Sequence, residues 1–283
     1  MSKKDLIVNE AVILLGGMGT RLLPYTKSVP KEMLPVYDVP AIFLLVEEAY
    51  LSGIKKIIFV ITKHNKRIIE SFFNKDEYLD NFLKDKPDKK KQLDRINKVI
   101  NSMEFKYVHQ NIKGTFGALY AAKKEIKNDN FIVMYGDDLI DSTTPLTKSL
   151  INEFKNDTKM YVSVQEKSMK YLPNVGVVKL DKNNHLLDLV EKDKNHSNCE
   201  LHGRMLLNKD IFKVKNLLRK HDNDEYYLSY ALLKFKGQVK AFKYHGEYFN
   251  LGEKDGYIKA SIHYALKNNK RDSLLEFIRK EIK

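Results

Sequence analysis

Tryptophan is absent from this 283-residue chain, and cysteine occurs once, at Cys199. A single thiol excludes an internal disulfide, and with it a small oxidised scaffold stapled by bridges. Long apolar runs are missing as well. Crossing a bilayer takes about 20 apolar residues, whereas runs such as Ala41 to Val46 stop within a few. Near the start, the short run Leu6 to Val8 is interrupted by Asn9 and Glu10, which is not the apolar core of a secretory leader. A soluble protein of a reducing cytoplasm is the expectation. Arginine is scarce, with 7 against 43 lysines, so the chain lacks an Arg-rich segment for reading nucleic acid. The eight histidines occur singly, without metal-ligand spacing, and no Ser/His/Asp or Cys/His arrangement is apparent. No internal repeat, hexapeptide pattern or Gly/Ser/Pro linker interrupts the chain.

What is present points to a folded domain. Hydrophobic residues make up 43% and aromatics 11%, too many for a disordered chain. A chain of this length buries roughly three quarters of its extended surface when it folds as one globule. The net charge is +13. Because lysine carries it and is spread along the whole chain, it reads first as a solvated surface, and it also suits small polyanionic substrates. The run Lys89-Lys90-Lys91 reads the same way, as a solvated helix face.

The first 140 residues alternate strand and helix. Ala11 to Leu15 is a buried strand running into Gly16-Gly17, residues 40 to 52 form a helix, and Lys56 to Thr62 is a second buried strand. A long, partly helical connection spans Lys63 to Glu104. Strand character returns at Phe105 to Gln110, a helix is expected over Ala118 to Ile126, and Phe131 to Tyr135 is a strand ending in Gly136-Asp137-Asp138. This alternation predicts an α/β fold, a parallel sheet with helices on both faces. The second half is mixed. Strands are expected at Tyr161 to Gln165, Val175 to Leu180, Leu186 to Glu191 and Val239 to Tyr244. Helices are expected over 209–220, 225–236, 254–267 and 272–281. One α/β domain with a mixed second portion is expected.

The loop after the first strand carries the chemistry. Glycines at Gly16, Gly17 and Gly19 let backbone N–H groups turn toward an anion, at the strand ends where open α/β sheets bind ligands. The P-loop and the dinucleotide fingerprint both fit poorly, since Thr20-Arg21 follows Gly19 and Leu22 occupies the last fingerprint position. Arg21 at the loop and Lys31 ten residues on, flanked by Pro30 and Pro35, suggest a polyphosphate clamp.

These residues carry a resemblance. Gly16-Gly17-Met18-Gly19-Thr20-Arg21, Pro24, then Pro30-Lys31-Glu32-Met33-Leu34-Pro35 resembles the signature of sugar-nucleotide pyrophosphorylases. The longer string from Lys27 to Asp38 resembles the bacterial UTP–glucose-1-phosphate uridylyltransferases. The likeness implies a Rossmann-like, mostly parallel mixed sheet flanked by helices. It implies one nucleotidyltransferase domain over 1–283, with a nucleotide-binding half (1–140), a sugar-phosphate-binding half (141–253) and C-terminal helices (254–283). The implied reaction joins UTP and glucose 1-phosphate into UDP-glucose and pyrophosphate, assisted by Mg²⁺.

By the same resemblance, the glycine loop with Thr20 binds the nucleoside triphosphate, and Arg21 and Lys31 hold its β- and γ-phosphates. Gln110 reads the uracil edge and Gly117 lets base or ribose lie against a helix start. Gly176 packs against the sugar, Glu191 accepts from its hydroxyls and Lys192 pairs with its phosphate. Asp137 matches the metal-binding aspartate, with Asp138 as the local alternative. Asn250 stands where the family has a second metal-binding aspartate, and an amide oxygen there brings no charge. Dimers or tetramers are implied, and neither nucleic acid nor membrane. The rivals are a thymidylyltransferase acting on the same sugar phosphate and a catalytically silent nucleotide-sugar-binding regulator. The first normally lacks the Pro30 and Met33 context and has a shorter connection than Lys63 to Glu104. The second would be expected to lose Arg21, Lys31 or Asp137.

Overall fold

A computed structural model describes residues 8–154, 158–167, 176–191, 197–220, 224–267 and 271–282. In chain order its elements are β1 (Glu10–Leu14), β2 (Pro35–Val36), β3 (Val39–Pro40), α1 (Ala41–Leu51), β4 (Lys56–Ile61), α2 (Lys66–Phe73), α3 (Glu77–Phe82), α4 (Pro87–Ile100), β5 (Glu104–His109), α5 (Thr115–Ala121), β6 (Asn130–Tyr135), β7 (Asp138–Asp141), α6 (Leu146–Glu153), β8 (Met160–Glu166), β9 (Gly176–Leu180), β10 (Leu186–Glu191), β11 (Cys199–Asn208), α7 (Leu228–Leu232), β12 (Val239–Lys243), β13 (Glu247–Asn250), α8 (Lys254–Leu266) and α9 (Arg271–Glu281). No helix among the described residues is long and apolar enough to cross a membrane.

Nine strands form one mixed sheet. Its main path runs β10-β9-β11-β6-β1-β4-β5, and β8 joins β11 to β12. The stretch β6-β1-β4-β5 is parallel, with Ala11 opposite Ile57 on one side and Ile132 on the other. Its strands therefore end on one rim. The strands read as continuous apolar runs because both faces are covered. Along β1, Ala11 and Ile13 enter one core while Val12 and Leu14 enter the other, and β4 and β6 divide in the same way. Helix α1 packs on the first face and α5 and α7 on the second. Helix α4 buries Val99 and packs Ile96 and Ile100 against the first core, while its lysine run lies exposed as expected. Arg95 fastens it to α1 through a two-pronged contact with Glu47, at 2.7 and 2.6 Å.

Three parts of the second half and one of the first differ from the pattern expected of the sequence. The ten-residue strand β11 lies in the middle of the sheet, pairing β6, β8 and β9. No strand is expected there from the sequence, and its Glu200, His202 and Arg204 are all buried. Each has a partner. Lys167 reaches Glu200 at 2.5 Å, His202 lies 3.3 Å from the same carboxylate, and Arg204 meets Glu48 at 2.9 Å. Helix α5 starts at Thr115 rather than Ala118 and tightens into a 3-10 turn at Ala122–Lys124. Residues Lys209–Leu217 form 3-10 rather than α-helix. Residues 225–227 are extended, and α7 begins only at Leu228.

The Glu48–Arg204 contact crosses from α1 to β11, and Thr147 of α6 adds a hydrogen bond to the same carboxylate at 2.7 Å. Removing one member of a fully buried pair strands the other charge. Glu48→Ala is therefore expected to cost about 3–5 kcal/mol of stability, whereas Glu48→Met with Arg204→Met recovers much of it. Urea unfolding of the three proteins checks this ordering.

Candidate active site

The rim at the ends of β1, β4, β5 and β6 opens into a cleft of about 580 Å³, lined by Gly16–Met18, Lys31, Thr62, 109–115, Ala118, Tyr135, Asp137, Glu225 and Tyr227. The loop after β1 is pinned from beneath. Asn65 donates to the Leu15 carbonyl at 2.7 Å, and Thr26 donates to the Gly19 carbonyl at 2.7 Å. Gly19 sits at φ 64, in the left-handed region that a side chain rarely adopts. Thr20 begins a 3-10 turn, is exposed and does not line the cleft.

Two cations frame one end. Lys31 lies over Gly17, where an added Cβ would meet its Nζ at 3.2 Å. The Lys31 ammonium contacts Asp137 at 2.6 Å, and Arg21 meets Glu253 at 2.7 Å. The Arg21–Glu253 pair is half-exposed and contributes at most about 1 kcal/mol. Burial alone would push the Lys31 ammonium down, but Asp137 and Glu32 outweigh it and hold its pKa above the ordinary value. Burial likewise works against ionised Asp137, yet Lys31, through charge and hydrogen bond, and then Arg21 hold its carboxyl below the usual range.

The turn from β6 to β7 separates the two aspartates. Asp138 faces inward, accepting from the Gly203 N–H at 2.7 Å and the Tyr248 hydroxyl at 3.0 Å. Burial and then neighbouring Asp137 push its carboxyl up. Asp137 faces the cleft. The β7–β13 ribbon sets Asn250 opposite Asp138, and Leu251 donates its N–H to the Asp137 carbonyl at 2.7 Å. Gly252 is the meeting point. A Cβ there would lie 2.9 Å from Arg21 Nη2 and 3.0 Å from both Asn250 Oδ1 and Asp137 Oδ2. The Asn250 oxygen accepts the Gly252 N–H at 2.9 Å. Among the described residues, no group of three or more His, Cys, Asp or Glu could by itself hold a metal ion.

At the other end, Gln110 leaves β5 and leans over Gly16, where a Cβ would collide with its amide. Its Nε2 donates to the Ile112 carbonyl at 2.8 Å, while its buried Oε1 has no partner. Gly117 is buried and outside the cleft lining. Its missing side chain makes room for the Ile112 carbonyl carbon, 2.8 Å from an added Cβ. Gly176 and Glu191 are register partners on β9 and β10, and Gly176 is not among the residues that line the cleft. Lys192 lies outside the described residues.

Glu225 and Tyr227 were not anticipated. The 225–227 stretch had read as the start of a helix, and their role becomes visible only once it is known to be extended.

The family model for nucleotidyl transferases matches residues 10–267. The chain belongs to the nucleotidyl transferase family. It is 36% identical to UTP–glucose-1-phosphate uridylyltransferase 2 of Staphylococcus saprophyticus over 96% of this chain and 98% of that one. Identity to the UTP–glucose-1-phosphate uridylyltransferase of Staphylococcus haemolyticus is 34% over the same shares. A solved UDP-glucose pyrophosphorylase complexed with UDP-glucose superposes with a TM-score of 0.83 at 28% identity, covering 93% of this chain and 100% of that one. A UTP-bound UGPase from Acinetobacter baumannii gives 0.85 at 27% identity, covering 98% and 100%.

Beneath this nucleotidyl transferase site, Glu32 is buried and neither carboxylate oxygen has a hydrogen-bond partner. Burial raises its pKa from 4.5 to about 7, against the pull of Lys31. Between those values the folded chain keeps a proton that the unfolded chain has lost. Stability therefore falls as pH rises through this window, by up to about 3 kcal/mol at roughly 1.36 kcal/mol per pH unit. Glu32→Gln is expected to abolish this component. Urea unfolding at pH 5 and pH 7.5 should show a smaller loss in the variant than in the parent.

Proposed function

We propose that this nucleotidyl transferase moves a uridylyl group from UTP to α-D-glucose 1-phosphate, giving UDP-glucose and pyrophosphate. The observation that carries the reading is the phosphate end of the cleft, where Lys31 lies over Gly17 and Arg21, Asp137 and Asn250 meet at Gly252. The names of the relatives support it. The chain acts as one nucleotidyltransferase domain, with small molecules rather than nucleic acid as its partners. It works as a dimer or tetramer in the cytoplasm. The exposed Ile258, Ile262 and Phe277 of the C-terminal helices support assembly.

The attacking group is a phosphate oxygen of the sugar phosphate, already anionic at neutral pH, so no general base is needed. It forms a bond to the α-phosphorus of UTP as the bond to the pyrophosphate oxygen breaks on the opposite side. Catalysis is then positioning and charge neutralisation. Gly16, Gly17 and Gly19 with Thr20 present the loop backbone to the phosphates. Arg21 and Lys31 take the β- and γ-phosphates, leaving Glu253 and Asp137 to do so. Gln110 offers its unpartnered Oε1 to the N3–H of uracil. Gly176, Glu191 and Lys192 receive the sugar phosphate, with Lys192 on its phosphate.

Mg²⁺ fits the donor set. Asp137 stays ionised and Asn250 turns an oxygen to the same point beside Gly252, a pair of donors that phosphates and waters complete. When bound, the ion neutralises charge on the phosphates. With one carboxylate instead of two, the protein's own share of that affinity is modest.

Pure protein incubated with Mg²⁺, glucose 1-phosphate and each nucleoside triphosphate should release pyrophosphate fastest with UTP. No release with UTP, or faster release with dTTP, overturns the reading. Arg21→Ala and Lys192→Ala should each lower kcat by about 10²-fold or more with an unchanged melting temperature.

A further inference from the structure

The segment before α7 forms one wall of the cleft. Tyr226 pairs with the loop leading into α5 by two backbone hydrogen bonds, its N–H to the Lys113 carbonyl at 3.0 Å and its carbonyl from the Phe116 N–H at 2.9 Å. Leu228 adds a third by donating to the Thr115 hydroxyl at 2.8 Å. Gly114, at φ 87, allows this approach, since a Cβ there would lie 2.6 Å from the Tyr226 nitrogen. In extended chain successive side chains point to opposite faces. Tyr226 packs against the second core, so Glu225 and Tyr227 share the other face, and both line the cleft.

Glu225 thus sets a carboxylate in the wall of a cleft proposed to take a polyanion. Ionised, it only accepts hydrogen bonds, and it repels phosphate. Its neighbour Tyr226 is fastened to the loop that follows Gln110 and carries Gly114, whereas Lys31 and Asp137 meet at the phosphate end. Toward a uridine nucleotide the possible donors to Glu225 are the N3–H and the ribose hydroxyls. The N3–H has its acceptor in Gln110 Oε1, which is buried and unpartnered. We propose that Glu225 accepts from the ribose hydroxyls of the bound nucleotide, the 2′-hydroxyl among them, and makes this site prefer ribonucleotides to 2′-deoxyribonucleotides. This rests on the uridine-nucleotide reading above and deepens it, because it assigns the choice of UTP over deoxy analogues to a residue.

UTP and dUTP differ only at the 2′ position, so their binding to the Mg²⁺-loaded full chain, measured by titration calorimetry, isolates the contact. The unaltered protein should bind UTP about 10-fold or more tighter than dUTP, the worth of one hydrogen bond to a charged acceptor. In Glu225→Ala the ratio should fall to within about 3-fold, mainly through weaker UTP binding. Glu225→Gln, which keeps an acceptor oxygen without the charge, should fall between, and it serves if the alanine variant does not fold. A ratio near one in the unaltered protein, or an unchanged ratio in both variants, overturns the proposal. If the unaltered protein binds neither nucleotide, it is the uridine-nucleotide reading that fails.

Discussion

The corner at Gly136–Asp138 couples the chemistry to the core. Asp138 is turned inward and held by the Gly203 N–H of β11 and the Tyr248 hydroxyl of β13, and His202 stacks on the Tyr248 ring at 3.8 Å. With Asp138 fixed, the chain direction at this turn presents Asp137 to the cleft, against Lys31. The parallel register of β6 with β1 then places that carboxylate beside the glycine loop. A buried carboxyl thus sets the aim of its neighbour. Burial works against the ionised form of both, and the charge and hydrogen bond of Lys31 take Asp137 the other way, so the two acidities part.

The site holds its charges in pairs before any ligand arrives. Lys31 is matched with Asp137 and Arg21 with Glu253. Each pair joins a loop residue to the β7–β13 region, so a nucleotide that draws on the cations also acts on the segment carrying Asn250. Under the proposed function, phosphates would exchange these contacts rather than create new ones, and binding would replace one set of ion pairs by another. That softens the desolvation cost of bringing phosphates into a partly closed cleft. It also gives a few of the many basic residues a definite task, while the lysines of α4 remain a solvated face.

Much of the architecture was legible because periodicity and composition report burial directly. The runs at Ala11 to Leu15, Lys56 to Thr62 and Phe131 to Tyr135 read as strands covered on both faces, and the glycines after β1, which alone would also suit a plain turn, take on meaning from Arg21 and Lys31 nearby. Strand β11 was not legible, because Glu200, His202 and Arg204 break the apolar pattern that marks a buried strand. Their burial depends on Lys167, Glu48 and Tyr244, which lie 33 to 156 positions away in sequence. The extended stretch at 225–227 was likewise hidden, since its conformation is fixed by hydrogen bonds to residues 113–116 rather than by its own pattern.

By itself, then, the sequence determined the alternation of strands and helices, the position of the phosphate loop and the cations that belong to it, since each rests on neighbours a few residues apart. The tertiary structure alone decided which of two adjacent aspartates faces the cleft, that Gly114 lets the chain before α7 come close, and that Glu225 and Tyr227 form a wall of the site. Those outcomes turn on long-range partners that take up a buried hydrogen bond or a missing methyl, and no local pattern of residues encodes where such partners come to lie.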